Sequence, residues 1–398
     1  MQTAARHPVV LALIVTSTVV GIAGTDLVLP AIPTLPALLG GGTLERAQFV
    51  LAAFTAGAAL GLLLFGELGA RFDQRLLLVG SLLSYGLISA LCSFSPSIDT
   101  LIWLRFAQGA AGSAAAVFAP GMLRTLYGDE RVVGAMGLLG SVESLTPALA
   151  PVAGIQLLQS FGWTASFNVL AALGLVLAAI IWFARARLPA PARRRAPGSY
   201  SQLLVRWRFL RQALSQACTL GGLLVFVFGA PTVITTALHG TLRDFIFLQM
   251  SGISVFIIAA NLAGTLSSRF GAATMIMSGT ILSAVSGATM FAYAAAGGGN
   301  IIAVIAIFVP LNMGLGLRGP PGFHAALLAT DGDDSRGAAV VVIAILLTTA
   351  LGTAAAAPFI THGLIAIAAA AALLSFAAVL TLVIGSPKSA SAARYQES

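Results

Sequence analysis

The sequence predicts an all-α membrane protein, with twelve transmembrane helices arranged as two pseudo-symmetric six-helix bundles. Three observations carry this. Of 398 residues, 58% are hydrophobic and 9% charged, against roughly 25% charged in soluble domains. The charges leave free runs at 76–98, 144–184, 212–242, 245–268, 270–317 and 337–387, each suited to one or two crossings. The chain also echoes itself at an offset close to half its length.

A helix needs about 20 apolar residues to cross the hydrocarbon core, because unpaired backbone groups find no partner in lipid. Shared among twelve spans, 398 residues leave about 33 for each helix and its connector, so little remains for a soluble domain. The spans read, in order, 9–32, 46–67, 76–95, 99–123, 132–157, 164–184, 212–236, 246–267, 273–295, 300–323, 338–358 and 364–385. The first begins like a secretory signal after Arg6 and His7. It runs on through Asp26 to Pro30 and is followed by many more spans, so it is expected to be a retained helix.

Charge sets the orientation, since cytoplasmic loops carry the excess of Lys and Arg. With the N-terminus inside, 18 of the 21 basic residues fall on the inner face or inner helix ends. They are Arg6, Arg71, Arg75, Arg124, Arg131, Arg185, Arg187, Arg193, Arg194, Arg195, Arg206, Arg208, Arg211, Arg269, Arg318, Arg336, Lys388 and Arg394. Arg46 and Arg243 remain outside, and Arg105 lies within a span. The net charge of +8 therefore records orientation in a cell (inner) membrane with both termini cytoplasmic, and no nucleic-acid partner is expected. The expected domains are residues 1–185, a basic cytoplasmic linker 186–211, a second bundle 212–385 and a tail 386–398. A surface helix near Tyr200–Arg211 would place Trp207 at the interface. Cys92 and Cys218 lie near opposite faces and give no disulfide framework.

Gly66-Glu-Leu68-Gly-Ala-Arg71-Phe72-Asp73 after the second span echoes Gly264-Thr-Leu266-Ser-Ser-Arg269-Phe270-Gly271 after the eighth, at an offset of 198. Pro120-Gly121 followed by Gly128-Asp129-Glu130-Arg131 pairs likewise with Pro321-Gly322 followed by Gly332-Asp333-Asp334-Ser-Arg336. Both echoes stand at inner helix ends, as expected of two homologous halves with a substrate site between them near the midplane.

Motifs sharpen this. Thr25-Asp26-Leu27-Val28-Leu29-Pro30-Ala31-Ile32-Pro33 closes the first helix. Leu104-Arg105-Phe-Ala-Gln108-Gly109-Ala-Ala-Gly112 lies in the fourth. Pro147-Ala-Leu-Ala-Pro151-Val-Ala-Gly154, then Phe161-Gly162-Trp163, lie in and after the fifth. Together they resemble the major facilitator superfamily, specifically drug/proton antiporters of the bicyclomycin-resistance (Bcr/CflA) type. The resemblance is specific to about residue 185 and thinner beyond, where Gly314–Gly322 and the repeat support it. It implies the major facilitator fold, alternating access and multidrug efflux, with antibiotic resistance as the physiological result.

The stretch from Gly66 departs from the family's Gly-x-Leu-x-Asp-Arg-x-Gly-Arg-Lys pattern. Ala70 replaces the acid that helps lock the halves on the inner side, Asp73 the second glycine and Gln74 the next arginine. Gly66, Arg71 and Asp73 are the gating candidates, with Glu67 or Asp73 available to replace the missing acid.

Charges at bilayer depth are costly and mark substrate or proton routes. Asp26, Arg105 and Glu143 lie well inside the predicted spans. Asp26 and Arg105 stand at similar depth, so they can pair, and breaking the pair would load or release a proton. Arg105 organises rather than carries, because guanidinium does not deprotonate in proteins. Glu143, one turn before Pro147, is a second titrating or substrate-binding group. The plain alternatives are a permanent structural pair and a protonated, hydrogen-bonded glutamic acid.

Pro147, Pro151 and Gly154 bend the fifth helix and permit close approach, as do Gly229, Pro231, Pro310, Gly314, Gly316, Gly319, Pro320 and Pro321. Packing alone would also account for them. Gln108, Phe226, Phe228, Asn261 and Asn312 are candidate cavity residues, with Tyr293 as a further aromatic. Arg318, near the inner end of the tenth helix, is expected to be interfacial.

No P-loop is present, and His7, His239, His324 and His362 lack metal-ligand spacing. No serine stands in a nucleophile-elbow motif. The expectation is therefore a monomeric, non-enzymatic exporter. It would need no cofactor beyond the proton gradient, and its partners would be a small amphiphilic substrate, protons and the lipid bilayer. The rivals are a facilitator, importer or exporter of a metabolite or sugar on the same fold, and a non-transporting membrane receptor or scaffold.

Overall fold

The computed structural model describes residues 7–39, 44–189 and 198–384. The three consecutive arginines at 193–195, Arg6, Lys388, Arg394 and the tail lie outside the described residues. In chain order the helices are α1 (His7–Asp26), α2 (Leu35–Leu38), α3 (Leu44–Arg71), α4 (Gln74–Ser93), α5 (Ile98–Gly112), α6 (Ala114–Phe161) and α7 (Ala165–Ala184). They continue as α8 (Tyr200–Leu204), α9 (Trp207–Thr236), α10 (Leu242–Phe270), α11 (Ala272–Ala295), α12 (Ile301–Leu328), α13 (Asp334–Ala356) and α14 (Leu364–Val383).

Eleven stretches among the described residues are long and apolar enough to cross a membrane. One of them, Ile98–Phe161, has 64 residues and contains both the predicted spans 99–123 and 132–157. Within its 48-residue α6, Gly128 leaves helical geometry at φ 71°, ψ 167° and separates two crossings. A Cβ there would meet no neighbour within 4 Å, so glycine is required for the left-handed φ rather than for space.

Two compact units emerge. The first is Met1–Val205 with Ala260–Thr265 and Leu327–Ile343, and the second is Arg206–Ala259, Leu266–Ala326 and Ala344–Ser398. The first boundary between them, Val205/Arg206, falls within the expected 186–211 linker, and two later segments join the first unit. Hydrogen bonds and ion pairs from Asn261, Asp334, Ser335 and Arg336 to the N-terminal helices attach two later segments to the first unit. The expected surface helix is also shorter. Only Tyr200–Leu204 forms it, with Ser199 Oγ accepting from Gln202 N at 3.3 Å. Trp207 instead opens α9, and its Nε1 donates to the Ile384 carbonyl at 3.2 Å.

Within the first unit α3 packs on α5, α4 on α7 and α1 on α6. Lipid offers no hydrophobic gain from helix association, so small residues that let backbones approach do the work. A Cβ on Gly57 would collide with the Phe106 carbonyl oxygen, and one on Gly109 with that of Phe54. In the second unit α9 and α11 pack on α14, around a cluster that includes Phe226, Phe308, Leu311 and Ile367. The 198-residue echo is visible in the backbone. Asp73 caps α4, its carboxylate accepting from Arg75 N at 2.9 Å, and Gly271 stands at the matching start of α11.

Candidate functional site

The first unit carries two polar assemblies. At membrane depth, α5 points Arg105 into the protein, where the side chain is fully buried. Its Nη1 donates to Gln108 Oε1 at 2.7 Å, and its Nε to the Val50 carbonyl at 3.4 Å. Its Cζ lies 4.1 Å from the Phe54 ring centroid, where a desolvated cation–π contact is worth about 2 kcal/mol. Gln108 Nε2 passes the chain on to Ser89 Oγ at 2.6 Å, and Ser89 Oγ donates to the Tyr85 carbonyl at 2.6 Å. Tyr85 in turn donates to the Val20 carbonyl of α1 at 3.1 Å.

The expected Asp26–Arg105 pair is not formed. Among the described residues Arg105 has amide, carbonyl and ring partners rather than a carboxylate, and Asp26 stands half-buried at the end of α1. Similar depth was legible in the sequence, but the direction in which each helix turns its side chain was not. Glu143, half-buried on α6, instead meets the Thr18 hydroxyl of α1. Thr18 lies eight residues before Asp26, about 12 Å along the helix. Glu143 therefore belongs to the α1–α6 seam, and Asp26 stands two turns farther along α1. Pro147 and Pro151 lie inside α6 on the same stretch, and a Cβ on Gly154 would strike the Leu27 carbonyl.

The second assembly is ionic. Arg336, at the start of α13, donates from Nε to Glu67 Oε2 at 2.7 Å and from Nη1 to Asp333 Oδ2 at 2.7 Å. Arg71 pairs with Glu67 from the next turn. Ser335 Oγ donates to the Gly66 carbonyl at 3.1 Å. Beside them Arg124 bridges Asp129 at 2.7 Å and Asp334 at 3.0 Å. Of the two acids available to replace the one lost at Ala70, Glu67 therefore makes the contact with a segment distant in sequence. Asp73 caps α4 and pairs with Arg75 at 2.7 Å.

Tyr200 of the short linker helix donates to the Leu63 carbonyl at 2.6 Å and sits over Gly66. Burial, reinforced by the charges of Glu67 and Asp333, pushes its phenol above the ordinary value, while Arg336 acts in the opposite sense. It therefore stays protonated and donating.

The cavity candidates part company. Gln108 belongs to the buried arginine chain just described. Phe226 stacks on Phe308 with centroids 5.3 Å apart. Asn312 is buried and donates to the Phe308 carbonyl at 3.0 Å. Phe228 is 59% exposed on the outer surface of its helix. Asn261 donates to Ser141 Oγ at 2.8 Å in the first unit. Tyr293 secures the turn at Asn300, whose N donates to its hydroxyl at 2.8 Å. A groove of about 730 Å³ in the first unit is lined instead by residues such as Arg46, Phe49, Asp99 and Trp103.

Arg318 is also corrected. α12 continues to Leu328, so Arg318 stands ten residues from its end, and its side chain is fully buried rather than interfacial. Sequence reasoning missed the partners of these groups, namely Ser89, Tyr85, Thr18, Asp333 and, for Arg318, Thr219, whose Oγ1 accepts from Nη1 at 2.8 Å. The second echo, around Gly332–Arg336, did mark where the ionic assembly forms.

A family model described as Major Facilitator Superfamily matches residues 14–340. The chain belongs to that superfamily. It is 26% identical over 253 residues to a bicyclomycin resistance protein homolog of Haemophilus influenzae, a match covering 61% of this chain and 63% of that protein. It is 29% identical over 261 residues to a chloramphenicol resistance protein of Pseudomonas aeruginosa, covering 64% of this chain and 61% of the relative. The matched region thus spans less than two thirds of either relative. Among solved structures it is similar to the transporter FucP in the outward conformation, with TM-score 0.72, 15% identity, and coverage of 94% of this chain and 99% of that one. It is also similar to the proton:xylose symporter XylE bound to 6-bromo-6-deoxy-D-glucose, with TM-score 0.71, 13% identity and 96% of each chain covered. These likenesses establish the fold of this multi-pass membrane protein.

Proposed function

We propose that the protein is a proton-coupled exporter of small amphiphilic compounds, working by alternating access in the inner membrane. One observation supports the coupling most directly: Glu143 stands on the α1–α6 seam against Thr18, and α1 carries a second acid, Asp26, at its outer end. Thr18 has one hydroxyl proton and also lies 2.8 Å from the Val15 carbonyl. When Glu143 is ionised, the hydroxyl turns to the carboxylate. When Glu143 is protonated, Thr18 donates to Val15 and accepts from the acid. Proton loading is thereby read out as a change in the contact between two helices.

The ionic assembly at Glu67, Arg336 and Asp333 fits the role of an inner lock that has to break before the inner side opens. Glu67 supplies the charge that Ala70 lacks, which favours an active switch over a passive facilitator. The named activities of the two relatives point to drug-like cargo. The sugar transporters share the fold alone, and a metabolite carrier is the rival reading.

The test is transport in proteoliposomes with an imposed pH gradient, with chloramphenicol and bicyclomycin as first cargoes and xylose as the contrast. Gradient-driven drug flux should be abolished in Glu143→Gln and strongly reduced in Asp26→Asn. Flux indifferent to the gradient, with Asp26→Asn fully active, would sink the coupling. Xylose flux without drug flux would establish the rival.

A further inference from the structure

We infer that the guanidinium of Arg318 is a binding site for one carboxylate or a small monovalent anion. The side chain is fully buried in the second unit. One end is held by its own fold, since Nη1 donates to the Ser215 carbonyl and to Thr219 Oγ1, both at 2.8 Å. The remaining donors, Nε and Nη2, have no partner among the described residues. These two atoms form one edge of the guanidinium plane, the fork that takes both oxygens of a carboxylate in parallel hydrogen bonds.

The described residues of the unit offer no free carboxylate to this edge. Across residues 206–259, 266–326 and 344–398 the acids are Asp244 and Glu397. Asp244 is committed to the capping box at the start of α10, where it accepts from Thr241 N at 2.7 Å. Glu397 lies in the tail beyond the described residues. An amide stands beside the edge. Gln216 Oε1 is buried without a partner, and it and Arg318 Nη2 both lie 3.0 Å from the point where a Cβ on Gly322 would stand. Glycine at 322 therefore leaves room beside the fork. Turned about its Cγ–Cδ bond, the Gln216 amide offers a third donor to the same point. A lone buried cation is among the costliest groups a membrane protein can keep, and a bidentate anion is the species that offsets it.

The site differs from the Arg105 assembly, in which Nε and Nη1 are both engaged and one nitrogen remains. Assigning the carboxylate to an exported solute rests on the exporter reading above, whereas anion binding does not.

The experiment measures thermal unfolding of the purified full-length protein in detergent. The starting buffer contains only the bulky sulfonate HEPES as anion, and sodium chloride or sodium benzoate is titrated at constant ionic strength. The wild type should show a saturable rise in Tm. Saturation by benzoate but not chloride identifies an organic carboxylate as the occupant, and saturation by chloride identifies an inorganic counter-ion. Arg318→Gln should lose the response. Arg318→Lys, which keeps the charge but not the fork, should weaken it about tenfold or more. Gly322→Ala leaves every charge in place, crowds the open side and should also lose the response, which keeps the test decisive if Arg318→Gln folds poorly. No saturable rise with either anion in the wild type would overturn the inference, as would an unaltered response in both Arg318→Lys and Gly322→Ala. Because no transport is measured, the outcome is independent of proton coupling.

Discussion

Replacing Glu67 by Gln tests the ionic assembly most directly. Arg336 is 4% exposed and Asp333 2%, whereas Glu67 is 30% exposed. Removing one member of a fully buried ion pair costs about 3–5 kcal/mol, but an exposed pair is worth about 0–1 kcal/mol. Glu67 lies between these limits, and Arg336 keeps Asp333 as a second carboxylate. The expected loss is therefore about 1–2 kcal/mol, or roughly a 5- to 30-fold shift toward the state in which the contact is broken. A reporter is available at Ser141 of α6, which is 4% exposed and accepts a hydrogen bond from Asn261. With both native cysteines replaced by Ala, a Ser141→Cys variant in inverted vesicles should react with an impermeant maleimide 5- to 30-fold faster when Glu67→Gln is added, by the same energies. Arg336→Gln should give a similar rise, and the double variant should show less than the product of the two, because both remove one contact. Unchanged labelling in both single variants, or strictly multiplicative effects, would refute the reasoning.

Other expectations follow from the packing. Gly57→Ala drives a Cβ into the Phe106 carbonyl and should lower stability by about 1–3 kcal/mol. In contrast, Gly80→Ala, with no neighbour within 4 Å, should be neutral or stabilising by about 0.5–1 kcal/mol. Thermal unfolding of the two in parallel checks this, and equal shifts would contradict it. Phe226→Ala should lower Tm through lost contact with Phe308, whereas Phe228→Ala, at 59% exposure, should stay within about 0.5 kcal/mol of wild type. Tyr200→Phe removes the donor to Leu63 and should cost the linker attachment about 1 kcal/mol, read as faster proteolysis between α7 and α9. The phenol is raised above its ordinary value, so its docking contribution is full below about pH 10 and declines only as pH rises through the higher folded value. Proteolysis of the wild type should therefore be flat from about pH 6 to 9.

The spans were legible because lipid imposes long charge-free runs. Even the merged Ile98–Phe161 stretch divides where the sequence placed two spans. Position along a helix was legible too, since it depends only on residue count, and Asp26, Arg105 and Glu143 were chosen on that basis. Azimuth was not. Which neighbour a side chain meets depends on helix rotation, and α5 turns Arg105 toward Gln108 and Phe54 rather than Asp26. Arg318 was misjudged because the inner end of α12 was placed five residues too early, which moved a buried cation to the interface. Glu67 was nominated from the gap at Ala70, but its partner lay 269 residues away and had no local signature.

The left-handed backbone at Gly128 has a mechanical meaning. Helix continues on both sides of that one residue, so the crossings on either side share a joint without slack. With a single residue between them, rotation of one about its axis is expected to be delivered to the other as torque. The arginine chain of α5 and the acid on α6 then belong to one drive train, and a few flexible residues inserted after Gly128 would act as a slipping clutch, leaving each crossing folded while uncoupling their turning.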